Sequence, residues 1–120
     1  MKTKTYFSEF RSDIAVAILG KDDYRYEVMK PLFAQCGFGF AETSSGCVFI
    51  DGEVKLTNDE LRWVEAHELA HIMLKHTKDR NEGDEVAADM FAIILLKDKG
   101  YSKAAQLVED KFLERHKRKL

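Results

Sequence analysis

Trp63-Val-Glu-Ala-His-Glu-Leu-Ala-His-Ile-Met-Leu74 is the stretch on which the reading of this chain turns. Its apolar residues leave almost no polar face, which suits a helix running through a core better than one lying on a surface. Inside it stands His67-Glu68-Leu69-Ala70-His71, two histidines four positions apart with a glutamate after the first. Four helical residues turn through about 400°, so His67 and His71 project from one face, one turn apart. Two imidazoles so placed can reach a single tetrahedral Zn²⁺ at roughly 2 Å. Glu68, about 100° round the helix, falls beside that ion rather than on it. There it can take a proton from a water activated by the ion and pass it to a leaving amine. The plainer alternative is a pair of core histidines satisfied by hydrogen bonds, with Glu68 turned to solvent. Burial argues against it, because two imidazoles and a carboxylate are costly inside a core unless something such as a metal compensates them.

A catalytic zinc site takes a third protein ligand and leaves one position open. Glu85-Val-Ala-Ala-Asp89-Met-Phe-Ala92 begins fourteen residues beyond His71 and supplies a candidate. A turn over residues 79–83 would let the next helix pack back on the first and aim Glu85, on its opening turn, at the metal. Asp89 lies one turn further on the same face, placed to accept a hydrogen bond from the second nitrogen of a ligand imidazole. Ala87, Ala88 and Ala92 are small, as a closely approached helix requires. Glu85 can also be read as an ordinary first-turn acid favoured by the helix dipole. Glu82 and Asp84 are alternative ligands, though neither is followed four residues on by a carboxylate. His76, nine residues after His67, lies on the opposite side of an unbroken helix and is expected to cap its end rather than bind metal.

Outward from the two motifs, Thr57-Asn-Asp-Glu60 fits a capping box that opens the metal helix, expected to run to about His76. Helices are expected from Asp84 to about Lys99, closed by Gly100, and from Ser102 to about Lys117, with the basic end Arg115-His-Lys-Arg-Lys119 suiting the helix dipole. Residues 38–43, 47–50 and 53–56 read as short strands, split by Ser44-Ser45-Gly46 and by Asp51-Gly52, a hairpin signal. Further back, Phe7, Phe10, Ile14, Ala17 and Ile18 recur at three- and four-residue steps and predict an amphipathic helix from Tyr6 to Leu19. A second helix, from Asp22 or Asp23 to Cys36, contains Pro31, which is expected to kink or break it. The sum is an α+β fold of about five helices and a three-stranded antiparallel sheet, in one domain over residues 1–120.

Composition agrees with a folded, helix-rich domain: 45% of the 120 residues are apolar, 33% are charged and one is proline. A formal net charge of −2 gives no footing for a dedicated nucleic-acid or anionic-membrane partner, in spite of the basic C-terminus. Cys36 and Cys47 are not in metal-type spacing and read as free thiols of a reducing compartment. The apolar run Ile14 to Leu19 is too short for a signal-peptide core, and nothing approaches the ~20 apolar residues of a membrane span. The expected location is cytoplasmic.

Taken together, His67-Glu68-Leu69-Ala70-His71 and Glu85-x-x-Ala88-Asp89-x-Phe91-Ala92 resemble the ImmA/IrrE family of gluzincin-like peptidases, whose second motif reads approximately Glu-x-x-Ala-Asn/Asp-x-Phe-Ala. The resemblance covers about residues 45 to 96. It implies a minimal zincin-like fold with zinc on His67, His71 and Glu85. It also implies an intracellular endopeptidase that cleaves a regulatory protein such as a transcriptional repressor. The chain departs from the family in lacking a recognisable DNA-binding or sensor segment and the Leu-Met-Pro that often follows the second motif; Ile93-Ile-Leu-Leu-Lys97 stands there instead. On this reading Glu68 is the general base, and the strand around Val48 to Asp51 is a sheet edge that receives substrate. Tyr24, Tyr26, Tyr101 and His76 are the candidates for stabilising an oxyanion. The alternative is a metal-binding regulatory module with little or no general peptidase activity, which has no use for Glu68.

Overall fold

Ala15-Val-Ala-Ile-Leu19 is a strand, and an inner one, because its odd and even side chains both have an apolar layer to enter. The computed structural model describes residues 2–76 and 81–116. In chain order these form β1 (Lys4–Phe7), β2 (Ala15–Leu19), α1 (Arg25–Cys36), β3 (Gly39–Glu42), β4 (Cys47–Asp51), α2 (Asn58–Met73), α3 (Glu82–Asp98) and α4 (Ser102–His116). The strands lie in the order β1-β2-β4-β3. β2 pairs antiparallel with β1 and parallel with β4, and β4 pairs antiparallel with β3.

Strand alternation divides the core into layers. Val16, Ile18, Val48 and Ile50 meet Leu69 of α2 on one face of the sheet. Ala17 and Leu19 meet Tyr26 and Phe33 of α1 on the other. Behind α2, its Ala66 packs with Ala92 and Leu96 of α3 and with Ala104, Ala105 and Val108 of α4. Helix α2 is therefore covered by the sheet on one side and by two helices on the other, as its nearly all-round apolar sequence requires.

The α+β class holds, but the count does not: among the described residues there are four helices and a four-stranded mixed sheet, not five helices and three antiparallel strands. The helix expected over Tyr6 to Leu19 is instead β1, a turn and β2. Its three- and four-residue spacing was assembled across two strands and a loop, and a short apolar run buried on both faces carries no period of its own. No strand forms at 53–56. Asp51-Gly52 makes no hairpin, since the Gly52 N–H donates to Leu19 O at 2.8 Å and the chain then passes to α2. The turn at 44–46 does join β3 to β4, with Gly46 at φ 67°.

Helix α1 runs through Pro31 without interruption. The capping box at the start of α2 is formed: Glu60 N–H donates to Thr57 Oγ1 at 3.1 Å, and Thr57 N–H to Glu60 Oε1 at 2.8 Å. A second capping box, absent from the sequence reading, opens α3 two residues early, with Asn81 as its cap and Asp84 as its reciprocal acceptor. The turn expected at 79–83 lies partly outside the described residues, as does the basic end beyond His116. Helix α2 is pinned to the far edge of the sheet through Glu65, which accepts the Tyr6 hydroxyl at 2.6 Å and the Ser8 hydroxyl at 2.8 Å. Burial raises the Glu65 pKa against the pull of those two bonds. Cys47 is a free thiol. Among the described residues no helix is long and apolar enough to cross a membrane.

Candidate metal centre

His67 and His71 face α3 from the middle and last turns of α2, and Glu85 meets them from the first turn of α3. The helices approach this closely because the α3 residues between them are small, with Ala88 and Ala92 fully buried. The Nε2 atoms of His67 and His71 are 3.2 Å apart. Glu85 brings Oε2 to 3.2 Å from the first and Oε1 to 3.4 Å from the second. Donors bonded at about 2.0–2.1 Å to one tetrahedral ion stand roughly 3.3–3.4 Å from each other. The three side chains fit such an ion: the group can hold a metal. Glu82 and Asp84, the alternative third ligands, are not in this group.

Around those donors the electrostatics are tightly coupled. Burial disfavours a charged His67, yet bonding to Asp89 and Glu85, with Glu68 close by, holds its pKa up at about 9. The same contacts from His67 and His71 hold the Glu85 carboxyl far below the usual carboxylate range. In the absence of a metal, a proton on His67 balances the glutamate. A divalent cation would replace that proton.

Asp89 stands where its helical phase put it. Only 1% exposed, it accepts from His67 Nδ1 at 2.8 Å, which fixes the ring with Nε2 toward the centre. His76 does not stand where an unbroken helix would carry it. Helix α2 ends at Met73, and Lys75 adopts φ 60°, a left-handed conformation unusual for a residue with a side chain. The Lys75 N–H bonds to Ile72 O at 3.1 Å and the His76 N–H to His71 O at 2.9 Å, the paired bonds of a Schellman turn. His76 thus ends the helix as expected, through its backbone. The same turn folds its ring back until Nδ1 is 2.9 Å from His71 Nδ1, with Nε2 3.4 Å from Asp84 Oδ1. Sequence reasoning missed this contact because nothing but Lys75 marks the turn.

A cleft of about 550 Å³ opens on the metal face, lined by His67, Glu68 and Glu85 on the helix side and by Gly37, Phe38 and Gly39 on the sheet side. Trp63, Val64 and Gln35 complete it. Glu68 is 3% exposed and belongs to this cleft rather than to solvent. Gly39 leans directly on it: a Cβ there would come within 2.6 Å of Val64 Cγ1 and 2.9 Å of Glu68 Cγ. The strand expected to be the substrate edge, Val48 to Asp51, is an inner strand between β2 and β3. β3 is the edge, and it is β3 that begins at the cleft. Strand order depends on partners distant in sequence, so an inner strand and an edge strand of similar composition look alike beforehand.

None of the tyrosines weighed for oxyanion stabilisation lines the cleft. Tyr24 is exposed at the start of α1. Burial, with the Tyr26 hydroxyl donating to buried Asp51 at 3.0 Å, pushes the Tyr26 pKa up to about 12. Tyr101 packs edge-on against Phe10 and beneath Arg62. Comparison with models of protein families, with curated proteins and with solved structures gave no match.

Proposed function

We propose that this chain is a zinc-dependent endopeptidase of the zincin-like type, akin to the ImmA/IrrE peptidases in its paired motifs. The observation that carries the reading is the convergence of His67, His71 and Glu85 at tetrahedral spacing, beside the cleft that His67 and Glu85 line together with Glu68. Two imidazoles and one carboxylate are a donor set suited to catalytic zinc with an open position. When bound there, zinc would polarise a carbonyl oxygen and acidify a water.

The chain's own residues supply the rest. Glu68 receives the proton of the attacking water and returns it to the departing nitrogen, one carboxylate serving as base and then as acid. Asp89 holds His67 in the tautomer that presents Nε2 to the ion. β3 is an outer strand that begins at the cleft, the side from which an extended substrate would approach, and Phe38, Trp63 and Val64 give its side chains an apolar wall. Gly39 leaves the close approach between β3 and α2 free of a side chain that would displace Glu68. A protein segment that can become extended, such as a loop or linker in a repressor, is the substrate such an edge suits.

The test pairs metal content with turnover. Protein purified without chelators should carry about one zinc per chain and cleave its substrate protein. Glu68→Gln should retain the zinc and lose roughly 10²–10⁴-fold in rate. A variant that cuts at the wild-type rate would remove Glu68 from the chemistry. Zinc bound with no cleavage of any candidate partner would favour a metal-binding regulatory module.

A further inference from the structure

We infer that His76 and Asp84 form a relay that sets the tautomer of His71, making His76 a positioning residue of the metal centre. This rests on the metal-centre reading but not on the peptidase reading. His71 offers Nε2 to the point shared with His67 and Glu85. A neutral imidazole that ligates through Nε2 carries its hydrogen on Nδ1. That hydrogen lies 2.9 Å from His76 Nδ1, so it is donated there, and His76 Nδ1 must be the bare, accepting nitrogen. The hydrogen of a neutral His76 is then on Nε2, the atom 3.4 Å from the Asp84 carboxylate. A carboxylate offers acceptors only, so an N–H is what Asp84 Oδ1 can meet there. Each assignment forces the next, and the chain Asp84, His76, His71 ends with a lone pair aimed at the metal.

Independent features of the backbone build the relay. The left-handed turn at Lys75 brings the His76 ring back over His71. On the other side, the capping box of α3 fixes Asp84: its Oδ2 accepts from Asn81 N–H at 3.3 Å, and Asn81 Oδ1 accepts from Asp84 N–H at 2.9 Å. Oδ1 of Asp84 is left to face His76. His71 is 1% exposed, so no bulk solvent reaches its ring to take over as acceptor.

Zinc dissociation constants from chelator competition test the relay, with apo-state circular dichroism as the check on folding. H76L should bind zinc roughly 10–100-fold more weakly than wild type, the usual effect of removing a ligand's outer partner. H76N places a carboxamide oxygen where the same hydrogen can be accepted and should recover most of the loss. D84N, whose amide can keep the capping contact, should cost a few-fold. In the H76L background it should cost nothing more, because Asp84 acts only through His76. Nitrogen-resolved NMR of the zinc-loaded protein should show His71 with its hydrogen on Nδ1 and His76 with its hydrogen on Nε2. Equal affinity of folded H76L and wild type would overturn the relay while leaving the metal centre standing, as would a His76 hydrogen on Nδ1. If H76L does not fold, D84N and the NMR assignment decide the matter. A wild-type protein without affinity for zinc would remove the metal centre and the relay with it.

Discussion

His67 and His71 present the same atom to the same point, yet the molecule holds them by unlike means. His67 is fastened by one bond to Asp89, a residue in the regular body of α3 and buried among the packed alanines of the helix pair. His71 sits in the last turn of α2 and leans on His76, which leans in turn on Asp84 at the cap of α3, with 28% of the Asp84 side chain exposed. One support comes from helix–helix packing and the other from two helix ends. Packing deep in a core has few alternatives, whereas helix ends fray and open at lower free energy. Two side chains equal in chemistry are thus unequal in rigidity, and release of a bound metal should begin on the His71 side.

The largest effect is expected from deleting either histidine. His67→Ala and His71→Ala should each abolish stoichiometric zinc binding, measured as metal content after dialysis. A variant of either kind that keeps its zinc would show that the two arms are not parts of one site. Removing the supports sharpens the contrast instead. Asp89→Ala should weaken zinc binding by roughly 10–100-fold and, unlike Asp84→Asn, should also lower apo stability because it strips a buried partner from His67. Equal effects of the two substitutions would erase the distinction between a packed and a relayed arm.

Acidity separates the arms next. His67 has its pKa raised from the ordinary 6.5 to about 9, so the apo protein holds a proton there at neutral pH. For a raised pKa, the associated stability is fully present below 6.5 and is lost as pH rises through about 9. A metal bound there must displace that proton, so zinc affinity should climb by up to about tenfold per pH unit and level off near pH 9. A flat titration across that window would mean that His67 is neutral without metal. The smallest effect is expected at the turn itself. Lys75→Gly removes a side chain from a left-handed conformation and should stabilise the fold by about 1 kcal/mol, with zinc affinity unchanged. Loss of affinity on that change would mean that the turn, once relaxed, no longer returns His76 to His71.

The legible part of the sequence was the part governed by local rules. Thr57 and Glu60 declared the start of α2, helical phase put His67 and His71 on one side, and the Glu85–Asp89 interval put both carboxylates on the facing side of α3. Within the first 56 residues the helix ending at Cys36 and the strands at 38–43 and 47–50 were legible, but 6–19, 53–56 and the strand order were misread, because a sheet is specified by partners distant in sequence. Ala15 to Leu19 looks periodic until the layers on both faces are known, and Val48 to Asp51 looks like an edge until β3 is found outside it. His76 was misplaced for a different reason. Its position depends on a left-handed residue, and the usual advertisement for one is glycine, while this chain has Lys75.

The hydroxyls of Tyr6 and Ser8 reach Glu65 across sequence separations of 59 and 57 residues. During synthesis these two residues leave the ribosome long before the helix that will receive them. Closing so long a loop is entropically slow and must await the later partner. Until then the carboxyl of Glu65 has water, not two hydroxyls, and the first strand has only its neighbour to hold it. The two bonds to Glu65 therefore form only once α2 exists to receive them. A nascent chain halted before residue 65 has every residue of β1 through β4 but nothing for Tyr6 and Ser8 to grasp.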